Sequence, residues 1–223
     1  SNVVVWHGPD GTLMVDDGVA LAAPQLLAAA AKIAPGPVRV VINTHWHPDH
    51  TGGNEQFGGS GSLLIAHDNV RARMSEPQVA ADYDLEVPAA RAGALPVVTF
   101  DDALNLHLNG DRLAALHVEA AHTDGDLVLW WEDANVVHVG DVYYSGMYPF
   151  IDLGSGGWDD RLIANDPGTG PFADQTLNPT GETPMPNVVF GALNFTQVST
   201  TLRLLKKDTR SEILQAPKIV ALD

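Results

Sequence analysis

A short apolar run followed at once by a cluster of metal-ligand side chains is the feature that most constrains this chain. The run VRVVIN, residues 38–43, is continuous and β-branched, which is typical of a buried strand. The stretch THWHPDHTGG follows it without a spacer. Because a rigid sheet holds reactive side chains at the carboxyl ends of such strands, the pattern predicts a functional site at this sheet edge.

The cluster itself predicts a metal site. His45 and His47 are two residues apart, so in an extended backbone both imidazoles project to one side and could share one ion. Asp49 and His50 come after Pro48 turns the chain, which aims them at a neighbouring position. Since the chain has no cysteine, ligands of this kind suit Zn²⁺, or less specifically Fe, Mn or Co. Four potential ligands in six positions argue against an ordinary polar loop.

Composition limits the partners. The 28 acidic residues against 12 basic ones give a formal charge of −16, so neither nucleic acid nor a polyanionic substrate is expected. No apolar run approaches the roughly 20 residues that a membrane helix needs, so no membrane partner is expected. The chain starts SNVVVW, already strand-like, which is compatible with a removed leader and a periplasmic or secreted location; the alternative is cytoplasmic. The oligomeric state stays open.

The pattern of elements predicts an α/β domain over residues 1–223, with halves of about 1–96 and 97–223. The elements predicted in the first half are a hairpin in NVVVWHGPDGTLMVDDG, a helix within 23–34, the strand 38–43, a helix at 53–57, the strand SLLIAH, and a helix NVRARMS with Asp68 as its N-cap. Residues 76–96 are interpreted as a crossing loop. The second half is mostly strand, then a long loop or insertion at 152–194, a last helix TTLRLLKKD and a short strand KIVAL.

The sequence resembles the metallo-β-lactamase superfamily, whose His-x-His-x-Asp-His motif stands here as HWHPDH, residues 45–50. The stretches DGTLMVDDG, AHDNVRARM, AHTDGDLVLW and NVVHVGDVYYSGMYPFIDLGSGG extend the resemblance to about residue 164, in the order typical of a bacterial, periplasmic-looking branch. The resemblance implies a four-layer αββα sandwich with metals at one edge between the two sheets.

The resemblance also implies the ligands. His45, His47 and His122 would hold a first metal, and Asp49, His50 and Asp141 a second, with Asp141 bridging both. His122 and Asp141 each follow a strand-like run, as ligands at a sheet edge should. We interpret the other histidines as structural; they are His7, His67, His107, His117 and His138. For His138 the alternative is a contact behind the ligands.

One expected ligand is missing. Members of the superfamily supply a further histidine near the C-terminus, but this chain has none after His138, and Gln215 in DTRSEILQAPK occupies the matching register. Glutamine is a poor zinc ligand. Three explanations remain: a weak or empty second site, a ligand from elsewhere such as Asp152 or Asp166, or an incorrectly recorded tail. The expected cofactor is one or two Zn²⁺ per chain.

The expected activity is hydrolysis. Because zinc lowers the pKa of a bound water to roughly 7, we expect a zinc-dependent hydrolase in which metal-bound hydroxide, oriented by Asp49 as the catalytic residue, attacks the carbonyl of a small ester, thioester, lactone or amide. The β-lactamases that the chain most resembles lack an aspartate at position 141, so β-lactam cleavage is the alternative. A second alternative is a degenerate metal-binding domain without turnover.

Overall fold

The computed structural model describes residues 1–80, 85–145 and 149–158. The strands are β1 Val4–Gly8, β2 Gly11–Val15, β3 Val38–Ile42, β4 Leu63–His67, β5 Gln78–Ala80, β6 Leu85–Val87, β7 Val98–Phe100, β8 Ala103–Leu108, β9 Asp111–Val118, β10 Asp126–Trp131 and β11 Val136–His138. The helices are α1 Ala23–Ile33, α2 Pro48–Thr51, α3 Asn54–Gly59 and α4 Asp68–Met74, with 3-10 turns at Ala20–Ala22, Ala92–Ala94 and Leu153–Ser155. Most of the predicted 152–194 loop, the last helix and strand, Asp166 and Gln215 lie outside the described residues.

The first sheet sets the position of the site. Its order is β1-β2-β3-β4-β7, with β1 antiparallel to β2 and the other neighbours parallel. In a parallel arrangement the carboxyl ends of adjacent strands meet at one edge. Asp16 after β2 and Asn43 after β3 therefore lie side by side at the edge that continues into the histidine cluster.

The second sheet is antiparallel, in the order β11-β10-β9-β8. Its β8–β9 hairpin turns at Asn109 and Gly110, whose φ angles of 53° and 81° are those that a two-residue hairpin turn of type I′ requires. Two further hairpin-like connections bring the ends of β9, β10 and β11 to the site. His122 follows β9, and Asp141 follows β11.

The core lies between the two sheets and, separately, between the first sheet and its helices. Leu13, Val15, Ile42 and Ile65 of the first sheet pack against a fully buried set from the second, which consists of Leu113, Ala115, Leu127, Leu129 and Trp131. The alternate residues of the first sheet, Met14, Val41 and Leu64, pack on α1 and α3 through Ala23, Ala30 and Phe57. The described residues thus supply a helix layer and both sheets of the predicted sandwich.

Two local predictions differ from the structure. The N-cap of α4 is His67 and not Asp68: the backbone of His67 is extended, and its Nδ1 accepts a hydrogen bond from the Asn69 N–H at 3.1 Å, whereas Asp68 is already the first helical residue. The region 76–96, predicted as a loop, contains the short antiparallel pair β5–β6 and a 3-10 turn. Strands of three residues are too short to give a periodic pattern, and the Pro- and Ala-rich composition of this region favours a loop.

None of the helices in the described residues is long and apolar enough to cross a bilayer.

Candidate metal centre

The metal-ligand cluster lies in a buried turn between β3 and α2. Asn43 follows β3 and fixes this turn, because its Nδ2 donates to the carbonyl of His50 at 3.0 Å and its Oδ1 accepts from Asn54 at 2.9 Å. Pro48 is the first residue of α2, a position where its fixed φ favours a helix start. The short helix reverses the chain, so that His50 returns to the same side as His45.

Three imidazole nitrogens converge in a first ligand group, formed by His45, His47 and His122. The Nδ1 of His47 lies 3.1 Å from the Nε2 of His45 and 2.9 Å from the Nε2 of His122. Nitrogens on a tetrahedral zinc ion lie about 3.3 Å apart when each Zn–N bond is about 2.0–2.1 Å long. The three residues are buried, and their ligand atoms lie close enough together to share one metal ion.

The opposite nitrogen of each of these rings is held by an acceptor. The Nδ1 of His122 donates to the carbonyl oxygen of Phe150 at 2.6 Å, and the Nε2 of His47 donates to Asp152 Oδ2 at 2.9 Å. The Nδ1 of His45 lies 3.1 Å from the Thr44 hydroxyl. This hydroxyl donates its proton to Asp16, so it accepts from His45. In neutral rings the three converging nitrogens therefore carry lone pairs and no proton.

This arrangement fits a bound cation. The lone pair on His47 Nδ1 faces those of His45 and His122 at 3.1 and 2.9 Å, and such lone pairs repel one another. A metal ion bound by all three nitrogens would remove this repulsion. Burial, together with the neighbouring histidines, lowers the pKa of His45 well below its usual value. Burial also lowers the pKa of His122. Both rings are therefore neutral, and ready to bind a metal, at neutral pH.

A second ligand group surrounds His50. Its Nε2 is buried and makes no hydrogen bond, although Asp49 Oδ2 lies 3.2 Å away and Asp141 Oδ1 lies 3.4 Å away. Its Nδ1 donates to Asp16 Oδ2 at 2.7 Å. His45, His50 and Asp141 can share one ion, so His45 adjoins both groups. The structure brings together all six residues that the sequence predicts as ligands.

Charges around the second group oppose one another. Burial lowers the pKa of His50, but the carboxylates of Asp141, Asp16 and Asp49 outweigh it and raise that pKa to about 11. The same contacts act in reverse on the acids. Burial raises the pKa of Asp49 and of Asp141, but His50 lowers both, that of Asp141 to about 2. Without a metal, the proton on His50 is the cation that these carboxylates share.

Local sequence explains how Asp141 reaches the cluster. Gly140 before it has φ +52°, and a Cβ at this position would lie 2.9 Å from the Thr44 hydroxyl oxygen. Glycine is required here, since only it allows this conformation and this approach together. Tyr144 donates from its hydroxyl to Asp141 Oδ2 at 2.6 Å. The carboxylate is thus held with its other oxygen towards His50.

The turn after His122 is built by the sequence TDGD. Asp126 accepts hydrogen bonds from the Thr123 N–H at 2.8 Å and from its hydroxyl at 2.9 Å, which closes the turn. Burial raises the pKa of Asp126 to about 7, although these two donors lower it. His122 is therefore placed by a side chain four residues along the chain.

Two further residues of the site, Asp16 and Thr44, were not indicated by the sequence patterns. Asp16 accepts from the Thr44 N–H at 2.7 Å and from its hydroxyl at 2.9 Å, besides its contact with His50. It is fully buried, follows β2 and lies beside β3 in the parallel sheet. The strand-end argument that supports His122 and Asp141 also applies to Asp16. Its neighbour Asp17 accepts from the Gly53 N–H at 2.8 Å, and burial raises the pKa of Asp17 to about 8.

Asp152 does not lie at the second group, where the sequence analysis considered it as a replacement ligand. Its carboxylate contacts the His47 nitrogen that points away from the other histidines. Asp152 is therefore behind the first group.

Four of the five remaining histidines contact other parts of the fold, and His107 is exposed on β8. His67 and His117 stack with ring centroids 3.6 Å apart, and the Nε2 of His117 donates to the carbonyl of Asp124. His7 contacts the Thr12 hydroxyl. The Nδ1 of His138 accepts from the Gly140 N–H at 3.2 Å, which places this ring next to the turn that carries Asp141.

Comparison with known sequences gives a consistent family. A family model described as the metallo-beta-lactamase superfamily matches residues 1–185. A hydroxyacylglutathione hydrolase of Rhodospirillum rubrum is 27% identical over 205 residues, which cover 88% of this chain and 62% of that protein. A linear primary-alkylsulfatase of a Pseudomonas species is 26% identical over 179 residues, which cover 65% of this chain and 34% of that protein. The chain thus spans only part of the length of these curated relatives.

Solved structures show the same fold. A metallo-beta-lactamase from Pontibacter korlensis has a TM-score of 0.55 at 18% identity, and the match covers 73% of each chain. A metallo-beta-lactamase from Cronobacter sakazakii with a HARLDQ motif has a TM-score of 0.54 at 22% identity, with coverage of 69% of this chain and 61% of the other. At these identities the likeness concerns the fold alone, and it confirms the predicted fold class.

Proposed function

The chain belongs to the metallo-β-lactamase superfamily, and we propose that it is a zinc-dependent hydrolase of small esters, thioesters or lactones. The observation that carries the proposal is the convergence of three imidazole nitrogens, from His45, His47 and His122, beside the acidic group around His50. Two of the relatives are a hydroxyacylglutathione hydrolase and an alkylsulfatase by name, which supports hydrolysis as the reaction class.

The first group would hold one zinc ion, and Asp49, His50 and Asp141 would hold a second. A metal bound there would supply an ionised water at neutral pH, since coordination lowers the pKa of water to roughly 7, and would polarise the carbonyl of the substrate. Imidazole and carboxylate donors without thiolate suit zinc.

Asp49 has the position of an orienting residue. Its side chain is 44% exposed while His50 beside it is buried, so its carboxylate faces the opening of the site. His50 holds the pKa of Asp49 below its usual value against the effect of burial, which keeps this carboxylate ionised and able to accept a hydrogen bond. We assign to Asp49 the orientation of the attacking water towards the carbonyl carbon.

Charge favours a small substrate without several negative charges. The formal net charge of −16 opposes the approach of a polyanion, and Asp49 adds a negative charge at the opening of the site. Asp141 favours esters, thioesters and lactones over β-lactams, since the β-lactamases that the sequence resembles lack this aspartate.

The test combines metal content with a substrate panel. Purified protein, dialysed against zinc and then freed of excess, is assayed for metal and offered p-nitrophenyl esters, thioesters, lactones and a chromogenic cephalosporin, with a chelator-treated sample as control. We expect one or two zinc ions per chain and chelator-sensitive turnover of at least one ester, thioester or lactone. Cleavage of the cephalosporin alone would favour a β-lactamase. Bound zinc with no hydrolysis of any carbonyl substrate would favour a metal-binding domain without turnover and overturn the proposal.

A further inference from the structure

A segment distant in sequence lies against the first ligand group. Residues 149–158 run along residues 121–124, the turn that carries His122. Three backbone hydrogen bonds join them: Asp152 N–H to His122 O at 2.8 Å, Asp124 N–H to Ser155 O at 3.0 Å and Trp158 N–H to Ala121 O at 2.9 Å. A Cβ on Gly157 would lie 2.6 Å from the His122 carbonyl oxygen, which shows how closely the two backbones approach.

This segment supplies the acceptors for two of the three first-group rings. The Phe150 carbonyl accepts from His122 Nδ1, and Asp152 Oδ2 accepts from His47 Nε2. The Asp152 carboxylate is buried and is itself fixed, because the Ser155 hydroxyl donates to Oδ2 and the Ser155 N–H donates to Oδ1. The contact with His47 is thus built into a small network of hydrogen bonds.

The three acceptors differ in charge. His45 has the Thr44 hydroxyl and His122 has a backbone carbonyl, whereas His47 has a carboxylate. A hydrogen bond from imidazole to a carboxylate is stronger than one to a neutral acceptor, and it makes the other ring nitrogen a better electron donor. His47 faces the other two rings with Nδ1, whereas His45 and His122 face it with Nε2, so the contact at Nε2 of His47 sets the tautomer that leaves Nδ1 without a proton.

We infer that Asp152 is the positioning residue for His47: it holds the proton on Nε2 and leaves the Nδ1 lone pair directed at His45 and His122. This inference rests on the proposed metal binding for its purpose. The inference itself is separate from metal binding, because the tautomer and the ring orientation of His47 are properties of the metal-free protein.

The turn 121–124 has an anchor of its own that does not involve Asp152, and this provides a matched control. The Arg73 guanidinium of α4 donates to both carboxylate oxygens of Asp124, at 2.7 and 2.6 Å, and Gly156 with φ +70° lies close to this pair. The variant Asp124→Asn weakens the anchor of this turn and leaves the acceptor of His47 in place. Asp152→Ala removes the acceptor, and Asp152→Asn replaces it with an uncharged one.

The experiment measures zinc affinity by competition with a chromophoric chelator, together with thermal unfolding of each metal-free variant. We expect Asp152→Ala to weaken first-site binding by about 10- to 100-fold, and Asp152→Asn to weaken it less, because an amide oxygen still accepts a hydrogen bond. Asp124→Asn should stay within about threefold of the wild type, since it leaves both ring acceptors in place. Equal affinity of Asp152→Ala and wild type, or an equal loss in Asp124→Asn, would overturn the inference.

The tautomer of His47 is read separately, by ¹⁵N NMR of the metal-free protein. Wild type should show His47 protonated at Nε2, and Asp152→Ala should show a mixture of tautomers. If the wild type binds no zinc, the proposed function fails and this measurement alone decides the inference. The same tautomer in wild type and Asp152→Ala would overturn it.

Discussion

The two ligand groups share His45 but differ in what surrounds their imidazoles. In the first group three rings face one another, and the Asp152 carboxylate contacts His47 on the side away from the other two rings. In the second group the single ring of His50 lies among three carboxylates. In the first group a bound cation would stabilise the converging ring nitrogens, whereas in the second group the protonated ring of His50 already supplies the positive charge. A metal should therefore enter the two groups under different rules.

The largest effect should come from His47→Ala, which removes the nitrogen that contacts both other rings of the first group. We expect this variant to lose most of the first-site metal, since two imidazoles alone bind zinc poorly. Metal content after dialysis measures the loss. His107→Ala, at an exposed histidine of β8, is the matched control and should keep full occupancy. Full occupancy in His47→Ala would refute the assignment of the first group.

The pH dependence of metal affinity should separate the two groups. The pKa of His50 is raised to about 11, so between pH 7 and 9 a metal at the second group must displace a proton. Affinity there should rise by about tenfold per pH unit. The pKa values of His45 and His122 are lowered, so both rings are already unprotonated and the first group should change little over this range. Stepwise zinc titrations at pH 7, 8 and 9 measure both slopes, and equal slopes would contradict the comparison.

The smallest effect should come from Thr44→Val, which tests how far the two groups are coupled. The Thr44 hydroxyl links His45 to Asp16, and Asp16 also binds His50 directly. Removing this hydroxyl should weaken the first metal by up to about tenfold, and the second less, because His50 keeps its own contact with Asp16. Thr44→Ser retains the hydroxyl and should behave as wild type in the same titrations. An equal loss in both variants would assign the effect to packing.

The sequence indicated the candidate ligands more readily than the residues that hold them in place. His45, His47, Asp49 and His50 lie within six consecutive positions, so their spacing alone indicates a metal site. His122 and Asp141 needed the strand-end argument and the family resemblance, and the structure places both beside the cluster. The family and the fold class are confirmed, whereas the metal, its number and the substrate stay predictions.

The supporting residues could not be found in the same way, because their contacts join distant parts of the chain. Asp16 reaches His50 across 34 positions through the parallel pairing of β2 and β3, and Asp152 reaches His47 across 105 positions. The wrong N-cap of α4 has a similar cause. Local propensity favours Asp68, but the ring of His67 is held between its stack on His117 and the Asn69 N–H.

The long separations within the first group also bear on the order of folding. His47 and His122 are 75 positions apart, and the partner of His47 lies 105 positions after it. Contacts between such distant residues form late, and during synthesis the N-terminal half leaves the ribosome first. The motif with the most ligands is thus made long before the residues that complete and orient it. Tight zinc binding should consequently mark the end of folding of this chain, and a fragment that stops before residue 122 should retain the motif without a complete first site.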